Sequence, residues 1–126
     1  MQREYEGYSK VTGAETLSNL ILDILKNDLN IRSGILGTND KLEIVSRQLS
    51  CDRLKLIQVT SNIDEACRSH ATGIIAFDNF DGNIFVSDSS LINKLRSACE
   101  SAGITLIDVM LFGTDDWLSL RRQNRL

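Results

Sequence analysis

The chain has 126 residues, 42% of them hydrophobic and 25% charged, with a formal net charge of −3. That length suits one domain, able to bury about two-thirds of the surface its unfolded chain exposes without a disulfide or metal staple. The mild acidity argues against a general nucleic-acid or anionic-membrane binder, and no apolar run approaches the roughly 20 residues of a membrane helix.

Residues 1–12 mix charges with Tyr5, Tyr8 and Gly7 and read as a flexible lead-in. They lack the basic and apolar regions of a signal peptide, so a cytoplasmic location is the default expectation. Thr12 or Gly13 can cap a helix over about 14–27, whose Leu17, Leu20, Ile21, Ile24 and Leu25 recur at three- and four-residue spacing. Ile31 to Leu36 and Leu42 to Val45, joined by the turn chemistry of Thr38-Asn39-Asp40, predict a hairpin. Gly34 and Gly37 predict that its first strand is weak or bulged. Leu54, Leu56, Ile57 and Val59 suggest a further extended piece. Thr60-Ser61-Asn62 then offers caps for a short helix reaching about His70.

Gly73 to Phe77 reads as a core strand. Ser87-Asp88-Ser89-Ser90 supplies caps for the next helix, whose buried face is Leu91, Ile92, Leu95, Ala98 and Cys99, and Gly103 is placed to end it. Ile104 to Phe112 is a nearly continuous apolar run of the kind found inside sheets. Gly113 to Asp116 turns into a last strand, Trp117 to Leu120, followed by a polar tail at 122–126. The order predicts one α/β domain with a central mixed β-sheet flanked by helices.

Three segments in this order resemble the RadC-like branch of the JAB/MPN metalloprotease-like fold, over about 13–121. Ala71-Thr72-Gly73-Ile74-Ile75-Ala76 resembles the apolar strand that precedes that family's metal motif. Gly103-Ile104-Thr105-Leu106-Ile107-Asp108-Val109-Met110-Leu111-Phe112-Gly113 resembles its segment G-I-x-L-x-D-H-x-I-x-G. Trp117-Leu118-Ser119-Leu120-Arg121 resembles its closing aromatic-x-S-L-R strand. The resemblance implies a JAB/MPN, cytidine-deaminase-like architecture.

Between the first two segments that family carries H-x-H-P-S-G-x-P-x-P-S-x-x-D, whose histidines and aspartate bind zinc. Placed without a gap, the histidines fall on Phe77 and Asn79, the prolines on Phe80, Ile84 and Val86, and the aspartate on Ser90. Gly82 and Ser87 agree with the motif. The histidine that follows Asp108 in the family is Val109 here. The lost prolines account for part of a composition that holds none, where about six would be ordinary.

A catalytic zinc takes about three protein ligands from His, Cys, Asp or Glu and keeps one position open for water. Phe77 offers no donor, Asn79 a weak oxygen, and Ser90 a neutral hydroxyl. The resemblance therefore implies a site emptied of zinc, without the activated water of a metallohydrolase. Glu43 lies near the place of the family's general base, and Asp108 is the relic acid beside the site. Asp78, Asp81, Asn83 and Asp88 form an acidic region that either holds calcium or solvates and caps the next helix; their spacing is not that of an EF-hand loop.

The remaining candidates have plain structural readings. Cys51, Cys67 and Cys99 are three widely spaced cysteines, and free thiols fit them better than a disulfide framework or zinc site. His70, the single histidine, sits at a helix end where a cation meets the dipole favourably. Cys67 is one helical turn from His70, but a Cys–His nucleophile would also need an exposed pocket, of which the sequence gives no sign. Ser87 suits a helix cap better than a nucleophile. Asp108, inside an apolar strand, needs a backbone amide or a basic partner. Phe77 is expected to fill the former metal pocket. Phe80 and Phe85 either pack inside or, with Asp81, form an exposed interaction patch. Arg121, Arg122 and Arg125 read as a solvated end.

The leading expectation is a metal-free, catalytically inactive RadC-like domain acting as a binding or scaffold module for a protein partner or a second copy of itself. The alternatives are a hydrolase built on Asp78, Asp81 or Asp108 with Glu43, and a DNA-repair-associated role implied only by the family's tradition.

Overall fold

The computed structural model describes residues 13–54, 56–80, 82–84 and 89–126. The first helix, α1 (Ala14–Asn27), starts at Gly13, whose carbonyl accepts the Leu17 amide at 3.0 Å. It buries Leu17, Ile21 and Ile24, the stripe expected from the spacing. Past its end, the Asp28 side chain accepts the Asn30 amide at 3.0 Å and turns the chain toward the sheet.

Strands β1 (Ser33–Thr38) and β2 (Ile44–Ser50) form the expected hairpin. Helix α2 (Leu56–Arg68), strand β3 (Gly73–Asn79), helix α3 (Ser89–Ala102) and strands β4 (Thr105–Phe112) and β5 (Trp117–Ser119) follow. The five strands make one sheet in the order β2-β1-β3-β4-β5. Only β3 and β4 run parallel, so the sheet is mixed. The α3 crossover between them satisfies the need of parallel neighbours for a long connection.

Each face of the sheet carries its own apolar cluster. Leu17, Ile21 and Ile24 of α1 pack with Leu36, Ile75, Phe77, Met110 and Phe112. On the other face, Val59, Ile63 and Ala66 of α2 and Leu95 and Cys99 of α3 pack with Ile35, Ile74, Ala76, Val109 and Leu111. Alternation along β1, β3 and β4 divides these residues between the faces. Among the described residues no helix is long and apolar enough to cross a membrane.

Three sequence expectations are corrected. Of the extended piece expected at Leu54 to Val59, residues 56–59 are the start of α2, and Thr60-Ser61-Asn62 lies inside that helix rather than capping it. Val59, Ile63 and Ala66 are all buried against the sheet, and a helix places such three- and four-residue spacings on one face. Of the two readings of β1, weak or bulged, the bulged one holds, in a strand buried along its whole length between β2 and β3. Its irregularity is confined to a register shift at Gly37/Thr38. The hairpin's second strand runs on to Ser50, five residues beyond the apolar segment ending at Val45.

Helices α2 and α3 stop by the same device. The Ala71 amide reaches back to Ala66 O at 3.1 Å and the His70 amide to Cys67 O at 3.0 Å; Ile104 to Cys99 O and Gly103 to Glu100 O repeat the pattern at 3.0 and 3.1 Å. Both are six-to-one and five-to-two closures with a left-handed residue after the helix. Gly103 (φ 73°) fills that position easily, whereas His70 (φ 65°) does so with a side chain.

Candidate functional site

Strand β3 carries the residues matched to the lost metal motif. Phe77 is fully buried, its ring among the residues α1 covers. Gly34 lies opposite it on β1. A Cβ on Gly34 would stand 2.5 Å from Phe77 Cε2 and 2.8 Å from Cζ, so the glycine leaves the space into which the ring fits. Asn79 is two residues further on, at the strand end and half-buried, and its amide donates to Arg32 O at 2.7 Å.

The other matched positions do not gather there. Ser90 is exposed in the first turn of α3. Val109 packs on the α2/α3 face, opposite to Phe77. Glu43 sits at the hairpin tip, where its carboxylate accepts the Asn39 side-chain amide at 2.9 Å. Its neighbour Ile44 pairs with Thr38, which also faces Gly73, the first residue of β3. Glu43 is thus at the opposite end of the strand from Asn79, roughly 20 Å away at about 3.3 Å per residue. Asp81, Phe85 and Ser87 lie outside the described residues.

Asp108 is buried and spends both oxygens inside the fold. Oδ1 accepts the Val109 amide at 2.7 Å and the Arg121 amide at 3.1 Å; Oδ2 accepts the Ser119 hydroxyl at 2.5 Å. The backbone-amide partner expected from sequence is present, with a hydroxyl added. Opposite Ile74 and Ile75, β4 carries one extra residue, Ile107, between Leu106 and Asp108. Arg121 holds this bulge: its guanidinium donates to the Ile107 carbonyl and, at 2.9 Å, to Leu106 O. The L-x-D and W-x-S-L-R segments therefore form a structural latch between β4 and the chain after β5. A carboxylate held by three such donors is poorly placed to serve as a base.

Asp78 faces the other side of the sheet. It is 4% exposed, and its Oδ2 meets Arg53, from the segment between β2 and α2, at 3.4 Å. Its Oδ1 is buried without a hydrogen-bond partner. Burial pushes the Asp78 carboxyl above the usual aspartate range, while the Arg53 charge, the Leu54 amide and the Arg32 charge pull it down less strongly. The Arg53 guanidinium also lies over the Phe80 ring, 3.9 Å from its centroid. Phe80 is half-buried against the α2/α3-side core, so its accessible face is partly covered by Arg53 rather than forming an open patch. The Ser33 hydroxyl donates to Asp52 O at 2.7 Å and ties the same segment to β1.

These donors do not fit the zinc centre implied by the resemblance. Phe77 and Val109 bring hydrocarbon, Ser90 stands in solvent, and Asp78 already faces a cation. Among the described residues no three of His, Cys, Asp or Glu are grouped to hold a metal ion. Cys51 is exposed and free; burial, and secondarily Cys67, pushes the Cys99 thiol up to about 11, far from a reactive thiolate. His70 is exposed, and its hydrogen bond to Cys67 runs between backbone atoms.

No family model matches the chain, and no curated protein matches it. Arg53 and Arg32 were not legible as site residues in the sequence. No spacing rule joins Arg53 to Asp78, 25 positions away; the hairpin and the β1–β3 pairing bring them together.

Proposed function

We propose that this chain is a metal-free, catalytically inactive member of the RadC-like JAB/MPN fold and that it works as a binding or scaffold module. The observation that carries the reading is Phe77. The position matched to the first zinc-binding histidine is a wholly buried phenyl ring, seated against a glycine that admits it. A pocket filled this way adds apolar burial to the fold and offers no ligand field. The mixed five-stranded sheet with helices on both faces is the arrangement the resemblance implies.

The hydrolase alternative asks for converging carboxylates. Asp78 and Asp108 face opposite sides of the sheet, Glu43 sits at the end of β3 away from Asp78, and both Asp108 oxygens are taken by donors inside the fold, so those three do not support it. The test is elemental analysis of the purified full chain. The proposal expects no stoichiometric zinc, before or after dialysis against zinc salts. One zinc per chain, lost in Asn79→Ala, overturns it.

A further inference from the structure

Asp78 is a buried carboxylate whose needs are only half met. Oδ1 has no hydrogen-bond partner, and Oδ2 has Arg53 at 3.4 Å, a long contact for a charge-assisted bond, with only the Leu54 amide as a further donor to the carboxylate. Buried acids are ordinarily satisfied or absent, because an unmade bond at such a group is costly. The partner is also weakly held. Arg53 comes from irregular chain, and its side chain is 48% exposed, while that of Asp78 is 6% exposed. The Arg53 guanidinium that meets Asp78 also lies over the Phe80 ring. A carboxylate next to an aromatic face is a setting that receives a guanidinium, whose N–H groups donate paired hydrogen bonds to the carboxylate and whose charge is attracted to the ring. The cluster lies at the C-terminal end of β3, parallel to β4, the end at which open α/β sheets place ligands.

Resting on the binding-module reading, we propose that Asp78 and Phe80 form a guanidinium-binding site occupied in cis by Arg53, which an arginine side chain of a protein partner displaces. The path is the one the Arg53 side chain now takes from solvent to Asp78. Arg53 acts as an internal competitor: the apparent affinity for an outside guanidinium falls by the fraction of time the site is vacant. A second guanidinium, Arg32, is near enough to act on Asp78 electrostatically and carries a buried, unpartnered Nε.

The test compares wild type, Arg53→Ala and Arg53→Gln by titration with N-acetyl-argininamide at constant ionic strength. The readouts are the Asp78 carboxyl carbon and the Asn79 and Phe80 amides by NMR. The uncharged isostere N-acetyl-citrullinamide is the control. Both variants are expected to bind the arginine probe saturably, at least about tenfold more tightly than wild type, the gain that follows if Arg53 fills the site about nine-tenths of the time. Adding Asp78→Asn to either variant should abolish the response. Arg53→Gln keeps the side chain's aliphatic stem and serves should Arg53→Ala fail to fold. A folded Arg53 variant that ignores the probe, binds the citrulline control equally, or still binds after Asp78→Asn overturns the inference. The metal test of the preceding section is independent of this result, so the two proposals fail separately.

Discussion

Gly34→Ala is the sharpest probe of how Phe77 is seated. The new methyl carbon would stand 2.5 and 2.8 Å from two ring carbons of Phe77 and 2.9 Å from Leu49 Cδ2. Carbon pairs are most stable at about 3.5–4.0 Å, so the ring or strand must move by about 1 Å. The ring cannot swing into solvent, because Phe77 is fully buried in a cluster with Leu36, Met110 and Phe112. Overpacking of this kind costs about 1–3 kcal/mol, and the closeness of three atoms places the expectation at roughly 2–3 kcal/mol. Phe77→Ala alone should cost about 3–5 kcal/mol through lost burial and a cavity. In the double variant the methyl enters space the ring has left and only the contact with the Leu49 side-chain end remains, so most of its penalty should vanish, giving a coupling of about 2 kcal/mol. Urea unfolding followed by the fluorescence of Trp117, the single tryptophan, and by circular dichroism measures all four corners of the cycle. Additivity within about 0.5 kcal/mol would refute the picture of a ring seated in the space of a missing Cβ.

Ser119→Ala should cost about 1–3 kcal/mol, because it strips a buried Asp108 oxygen of its hydroxyl donor, and Asp108→Ala should cost more, since several donors lose their acceptor together; denaturant midpoints check both, and a neutral Asp108→Ala would remove the latch. Asp78 has its folded-state pKa raised above 3.8. Its contribution to stability is therefore fully present below the unfolded value and is lost as pH rises through the folded one. Asp78→Asn should flatten that part of the pH profile and be neutral or stabilising near pH 7; marked destabilisation there, in melting curves taken against pH, contradicts the dominance of burial over the Arg53 contact. His70→Gly should raise stability by roughly 1 kcal/mol by relieving a left-handed backbone that carries a side chain; an unchanged or lower midpoint argues against strain at that cap.

Much of the fold could be read before any coordinates, because its signals are local. The stripe of Leu17, Ile21 and Ile24, the Gly103 stop and the apolar run into Phe112 each report a face or an end through their immediate neighbours. Helix α2 was misread where signals conflict: Leu54 to Val59 is rich in residues that favour strands, and Thr60-Ser61-Asn62 looks like a cap. Burial of Val59, Ile63 and Ala66 against the sheet outweighs both preferences. The irregularity around Gly37 was visible, but the central place of β1 depends on its pairing with β3, a long-range fact. At the candidate site, Phe77 and Asp108 could be singled out as residues, whereas their surroundings could not. The clasp of Asp78, Arg53 and Phe80 exists only once β1 aligns Ser33 with Asp78 and the Ser33–Asp52 bond draws the preceding segment over the strand end.

The central claim is that this interior has exchanged a metal for a phenyl ring. Calorimetric titration of the chelator-stripped chain with zinc chloride tests it most directly, with Asn79→Ala titrated in parallel. The account predicts no saturable one-site isotherm in either protein. A one-to-one isotherm in the wild type that disappears in Asn79→Ala would contradict it.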